Sequence, residues 1–319
     1  IAQCLVGSEM CIRDRYCWPG VDALREYGFE LEMNPHGRKY TQEELIEAVK
    51  DVDAVVADNE PWTEQSFAAA PKLKVIAKVG TGMDNFDLEA AKRHGVVIAN
   101  CAGVNANSVA EHVIAHLLCV IRQIPTQVYA VQEGKWPRII THEMSGRTLG
   151  ILGFGNIGQA VAKKMSGFDL RIIAWDKFPN EEKAKELGVE LVSFDEIISQ
   201  SDYMTLSVPL FPDTYHLIND ETIAKMKDGV CIVNTARGKV SDEAAVARGI
   251  ASGKIGGYGT DVFEDEPPRA DNPLFKYDEY CCTPHISGDA YECMANYGRA
   301  TSQIIIDFFE GREPKNRQV

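Results

Sequence analysis

Three polar residues of this sequence stand directly behind short apolar, β-branched runs. Arg237 follows VCIVNTA, Asp261 lies within YGTDV, and His285 follows YCCTP. If those runs are parallel strands, all three emerge at strand C-terminal ends, where open α/β sheets bind their ligands. An arginine offers a clamp for an organic anion, and a histidine offers a proton donor or acceptor near neutral pH. Taken singly, each could serve a surface ion pair or a turn; their common location favours chemistry. The loop DVFEDEPP adds Glu264, Asp265 and Glu266. One of these carboxylates, reaching His285, would raise its pKa and hold its proton on the correct nitrogen, and spacing alone leaves open which one.

A glycine-rich turn supplies a second kind of chemistry. Gly153-Phe154-Gly155-Asn156-Ile157-Gly158 follows the apolar run LGIL and precedes a helical pattern from Gln159, with Asp176 at the end of the next strand. Small residues there let backbone N–H groups at a helix N-terminus approach a pyrophosphate, which the helix dipole favours. Asp176 can accept hydrogen bonds from ribose hydroxyls and would repel a 2′-phosphate, so the expected cofactor is NAD and not NADP.

These residues need sheets to hold them. Between Gly20 and Asn100, strand-like runs (FELEM, AVVAD, KVIAKV, VVIAN) alternate with helical patterns such as TQEELIEAV; a second series follows with TLGILG, RIIAWD, YMTLS, VCIVNT, YGTDV and YCCTP. Such alternation predicts an α/β protein of two doubly wound parallel-sheet domains, Rossmann-like or flavodoxin-like, joined by helices. Ser108 to Arg122 reads as the connecting helix, with Ser108 as N-cap and Glu111 three residues on. The final helix, near Thr301 to Glu310, is expected to return to the first domain. Residues 1–102 with 289–319 then form a substrate-binding domain, and 103–288 an NAD-binding domain.

Bulk properties narrow the function. A formal charge of −14 without a basic cluster argues against a nucleic-acid partner. The longest apolar stretch, near Val113 to Ile121, is too short for a membrane span and is interrupted by His116. Nine scattered cysteines without metal-ligand spacing fit reduced thiols in the cytoplasm. No metal is expected: His112 and His116 are one turn apart on a helix, but no third ligand accompanies them. The opening residues IAQCLVGSEMCIRDR lack the features of a secretory signal. They read as a non-native replacement, over residues 1 to about 15, of a lost first strand.

The segments GILGFGNIG, NTARG, GTDVFEDEPP and TPHISG, in this order, resemble the D-2-hydroxyacid dehydrogenase family, and most closely its phosphoglycerate dehydrogenase branch. KVGTGMDNFDLEAA and GVNANSVAEH extend the resemblance over nearly the whole chain. It implies Arg237 for the substrate carboxylate and carbonyl, His285 as acid/base, Glu266 as its partner, and Asp261 at the nicotinamide carboxamide. Thr81, Asn156, Ile157 and Asp176 fall at cofactor-lining positions with the three glycines of the turn. So do Val208, Thr235, Ala236 and Gly288, alongside Arg237 and His285. The loop from Val79 to Gly82, with Gly80 and the preceding Lys78, would present N–H groups to the substrate carboxylate.

Lys78 stands where phosphoglycerate dehydrogenases usually carry Arg, and a point charge cannot make a bidentate phosphate contact. Ala102 replaces a usual Pro and Ser207 a frequent His. No regulatory domain is expected after Val319. The reading is therefore an NAD-dependent enzyme of small D-2-hydroxy or 2-oxo acids, phosphoglycerate dehydrogenase-like, working as a homodimer. Alternatives are a hydroxypyruvate/glyoxylate reductase, a D-lactate-type dehydrogenase, and a non-catalytic NAD(H)-sensing corepressor-like protein. Formate dehydrogenases of the superfamily carry Gln where this chain has Glu266.

Overall fold

Short β-branched runs with no polar alternation can be stable only with both faces covered, which is the condition of a parallel sheet between helices. The computed structural model describes residues 3–6, 18–36 and 38–319. It divides into two units, Ile1–Asn105 with Asp289–Val319, and Ala106–Gly288.

The first unit holds β1 (Gln3–Val6), β2 (Glu30–Met33), β3 (Ala54–Ala57), β4 (Val75–Lys78) and β5 (Val97–Asn100) in the order β2-β1-β3-β4-β5, all parallel. Leu5, Val55, Ile76 and Ile98 pack with Trp62 and Phe67 on one face; Val56, Val75 and Ala77 pack with Met294, Tyr297 and Ile305 on the other. Local signals set the helix ends. Thr41 and Glu44 form a capping box before the helix Gln42–Ala48, and Asp87 caps Leu88–His94, which Gly95 ends in the left-handed region. Gln3–Val6, within the segment read as replacing a lost strand, lies hydrogen-bonded between β2 and β3. The rest of that segment falls outside the described residues.

The last helix runs Tyr291–Phe309, starting well before Thr301. Buried Cys293, Met294, Tyr297 and Gly298 continue the apolar spacing of Thr301, Ile304 and Ile305, so packing extends the helix backward.

The second unit is a seven-stranded parallel sheet. Its strands are β6 (Thr148–Leu152), β7 (Arg171–Trp175), β8 (Glu190–Leu191), β9 (Tyr203–Leu206), β10 (Val230–Asn234), β11 (Ile255–Thr260) and β12 (Tyr280–Cys282), in the order β12-β11-β10-β9-β6-β7-β8. The helix Ala106–Ile121 lays Val109, Val113, Leu117 and Val120 into the core beside Leu149, Ile151 and Val233. It begins at Ala106, so Ser108 lies inside the first turn and is not the N-cap. Buried Ala106 draws that turn into the helix, and Glu111 pairs with Lys164 at 2.8 Å instead of closing a capping box. Among the described residues no helix is long and apolar enough to cross a membrane.

Candidate active site

Strand β6 ends in the glycine turn. Gly153 has φ +96°, and a side chain on Gly158 would come within 2.2 Å of the Gly153 carbonyl, so the first turn of the helix Asn156–Met165 can lie against the strand end only with glycine there. Nothing lies within 4 Å of where a Gly155 side chain would start, and no side chain caps this helix. Its first N–H groups are left for an anion. Asp176, after β7, accepts from the N–H of Phe154 at 2.7 Å and of Phe178 at 2.8 Å. The carboxylate braces the turn at the point where a ribose would follow the pyrophosphate. An open glycine, an uncapped N-terminus and a carboxylate one strand over fit a dinucleotide.

On the other half of the sheet, β10 delivers Arg237. Asn234, fully buried at the strand end, accepts from Ala236 N at 3.0 Å and donates to the Arg237 carbonyl at 3.0 Å, shaping the turn. A side chain at Gly238 would meet the Phe263 carbonyl carbon at 1.9 Å. That glycine lets the Arg237 turn press against the loop holding Glu266. The Arg237 Nη1 donates to the Ala236 carbonyl at 2.7 Å. Buried Thr235 and Val208 and half-buried Ala236 and Gly288 sit at or just beyond strand C-terminal ends.

His285 lies on the turn after β12, in the left-handed region at φ +55°. Its Nδ1 is 2.8 Å from Glu266 Oε2, and Glu266 Oε1 accepts from Phe263 N at 3.1 Å. Glu264 is occupied elsewhere, accepting from Glu243 N at 2.9 Å with His216 Nε2 3.3 Å away. The hydrogen bond to Glu266, and then its charge, raise the His285 pKa against burial and Arg237. Burial opposes ionisation of Glu266, but the His285 bond and charge, the Phe263 N–H and Arg237 hold it below the ordinary carboxylate value. Each partner thus favours the charged form of the other.

Asp261, fully buried, accepts from Thr283 Oγ1 (2.6 Å), Ile286 N (2.9 Å) and Ser287 N (2.7 Å). In this structure it anchors the His285 turn. Two groups were missed in the sequence, Asn234 and Thr283; His112 was noted there only as half of a helical histidine pair. Asn234 was detectable as the one polar residue in VCIVN; Thr283 had no local signal. Among the described residues no group of three side chains could hold a metal.

In the first unit, Lys78 ends β4 and is only 4% exposed. Its Nζ donates to the Val79 carbonyl at 2.5 Å and lies 3.5 Å from Asp58 Oδ1. Asp58 and Glu60 follow β3, and Glu60 Oε2 accepts from Asp58 N at 2.8 Å. Burial, assisted by Asp58 and opposed by backbone N–H groups and Lys78, raises Glu60 to about 7. The Lys78 charge is thus engaged inside its own unit. The loop beyond it is held by Asn100, whose Nδ2 donates to the Thr81 carbonyl at 2.8 Å, and by Cys101 N donating to the Gly80 carbonyl at 2.9 Å; Val79 is buried.

The parallel sheets and the glycine turn define a dinucleotide-binding α/β oxidoreductase fold. Residues 114–287 match the model of the D-isomer specific 2-hydroxyacid dehydrogenase NAD-binding domain. A D-3-phosphoglycerate dehydrogenase of Archaeoglobus fulgidus is 38% identical over 299 residues, covering 93% of this chain and 56% of that one. The chain thus spans little more than half the length of that relative. A hydroxypyruvate reductase of Thermotoga maritima is 40% identical over 287 residues, covering 87% of this chain and 93% of that one. The crystal structure of a glyoxylate reductase from Paecilomyes thermophila superposes with a TM-score of 0.87 at 30% identity, over 99% of this chain and 98% of that one. The chain belongs to the D-isomer specific 2-hydroxyacid dehydrogenase family, NAD-dependent oxidoreductases acting on a CH–OH group.

Proposed function

We propose that this protein interconverts a short, unphosphorylated 2-oxo acid and its D-2-hydroxy acid, with His285 as proton shuttle, Glu266 as its partner and Arg237 as substrate clamp. The hydrogen-bonded His285–Glu266 pair beside Arg237 carries this reading. NAD(H), when bound, supplies or accepts the hydride at the 2-carbon. Arg237 holds the carboxylate and carbonyl of the acid, which fixes the reacting carbon and polarises its oxygen. Protonated His285 gives its Nε2 proton to the oxygen as negative charge develops there, and Glu266 stabilises the imidazolium beforehand. In oxidation the neutral imidazole takes that proton back.

Lys78 supports a substrate without a phosphate. A buried lysine already compensated by Asp58 would have to give up that partner to hold a second anionic group. The hydroxypyruvate and glyoxylate reductases among the relatives support the same choice. NADH oxidation with glyoxylate, hydroxypyruvate and 3-phosphohydroxypyruvate tests it. We expect kcat/KM at least about 10-fold higher for an unphosphorylated acid. A preference for the phosphorylated one would overturn the assignment.

Two further expectations arise here. NADH should serve far better than NADPH, and Asp176→Ser should narrow the gap while weakening NADH binding, because the same carboxylate braces Phe154. Equal kcat/KM for both cofactors in the parent enzyme would contradict the role given to Asp176. The second concerns assembly: the helix Ile124–Gln132 has no buried residue and leaves Val128, Tyr129 and Val131 in water, followed by Trp136 at 80% and Ile140 at 97% exposure. Such a strip is costly on a lone subunit. We expect a symmetric homodimer through the NAD-binding unit, and a monomer in light scattering at micromolar concentration would rule it out. Among the described residues, the free thiols of Cys4, Cys101, Cys119, Cys231, Cys281 and Cys282 support a cytoplasmic setting.

A further inference from the structure

The helix Ala106–Ile121 carries two histidines that the chemistry above does not use. Both aim Nε2 at one hydroxyl. His112 Nε2 lies 2.8 Å and His116 Nε2 3.0 Å from Thr283 Oγ1, and the two nitrogens are 3.2 Å apart. The Thr283 hydroxyl donates to Asp261 Oδ1 at 2.6 Å. A hydroxyl has one hydrogen, so toward the imidazoles Thr283 can only accept. His116 Nδ1 is buried with no hydrogen-bond partner among the described residues. A proton on that nitrogen would be an unsatisfied buried donor, which places it on Nε2 instead. Burial, reinforced by His112 and opposed by Asp261, lowers His116 to about 4, so its ring is a neutral, single-proton donor at physiological pH.

Thr283 therefore gathers N–H donors from the helix and passes its own hydrogen to Asp261. The remaining acceptors of Asp261 go to the amides of Ile286 and Ser287, the two immediately after His285. Every bond to this carboxylate from β12 onward comes from the turn that carries His285. That turn holds a non-glycine residue at φ +55°, a conformation that persists only where its surroundings fix it.

We propose that His112, with His116 beside it, is a positioning residue of the active site: through Thr283 and Asp261 it fixes the turn Thr283–Ser287 and so the aim of the His285 ring. The proposal rests on His285 being the proton shuttle. It assigns the histidine pair neither a metal nor contact with substrate. The charged groups that face His285 are Glu266, Arg237 and Asp261; of these only Asp261 is within reach of His112, whose Nε2 lies 3.6 Å from its Oδ1.

The test compares His112→Phe, which keeps a ring but no donor, with His112→Gln, which keeps an N–H. His112→Phe should lower kcat by about 10- to 100-fold, with KM for the 2-oxo acid within about 3-fold and NADH affinity unchanged. A loosened turn weakens the Glu266 contact, so the His285 ring pKa, followed by NMR, should fall. His112→Gln should restore kcat to within about 3-fold of the parent. Thr283→Val against Thr283→Ser repeats the comparison on the hydroxyl, and if Thr283→Val does not fold the His112 pair decides alone. A His112→Phe enzyme with parental kcat and parental His285 pKa would overturn the proposal; so would a loss of turnover with an unmoved ring pKa. His285→Asn with undiminished turnover would instead overturn the shuttle assignment, and the ring pKa in His112→Phe would still report whether the turn is positioned from the helix.

Discussion

Replacing His285 by Asn is expected to reduce turnover by about 10²- to 10⁴-fold while leaving NADH affinity within about 3-fold. Asn preserves a polar side chain but removes the only titrating proton at this position, so the alkoxide must be protonated by water. Cofactor affinity should persist because the glycine turn and Asp176 lie at the opposite half of the sheet, on β6 and β7. The pH profile identifies the partner. Reduction needs protonated His285, so the rate falls as pH rises through a pKa that Glu266 holds above the ordinary histidine value. Glu266→Gln keeps a hydrogen-bonding group but removes the charge, and the high-pH limb should move to lower pH. Glu264→Gln should leave it in place, since that carboxylate serves the Glu243 amide. If Glu264→Gln moves the limb and Glu266→Gln does not, the shuttle has been given the wrong partner.

What was legible in the sequence follows from the range of the signals. Alternating β-branched and amphipathic runs announce parallel sheets because each run must bury both faces, and the glycine turn is legible because its neighbours in sequence are also its neighbours in space. Glu266 was different. Three adjacent carboxylates carry the same sequence signal, and only the path of the loop after β11 selects one, sending Glu264 to Glu243 and Glu266 to His285. The helix starts at Ala106 and Tyr291 were displaced for a related reason. The cap pattern at Ser108 is local, whereas the burial of Ala106, Cys293 and Met294 is set by tertiary packing. Lys78 shows the same limit for charge. Its residue type suggests an open cation, but the pairing of β3 with β4, with Ala57 opposite Lys78, brings the end of β3 and its Asp58 alongside. The Thr283–His112 contact joins residues 171 positions apart and has no trace in local pattern.

The second large effect is expected at Arg237. Arg237→Gln should raise KM for the 2-oxo acid by about 100-fold and slow turnover by about 10-fold or more, because one guanidinium both binds the carboxylate and polarises the carbonyl. Arg237→Lys should recover only part of this, since an ammonium keeps the charge but not the planar fork. The pH profile again separates the roles, with the opposite sign. Arg237 lowers the His285 pKa while Glu266 raises it. Loss of the guanidinium therefore leaves the imidazolium more stable, and the high-pH limb of reduction should move up, where Glu266→Gln moves it down. The geometry makes the coupling direct: Gly238 allows the Arg237 turn to touch the Phe263–Glu264 backbone, and Phe263 N holds Glu266 Oε1. A glycine replaced there by alanine would push the two loops apart and disturb clamp and shuttle together. An Arg237→Gln enzyme with an unchanged KM for the acid would show that the carboxylate is bound elsewhere. A limb that moved down would show that the guanidinium does not face the His285–Glu266 pair as this structure places it.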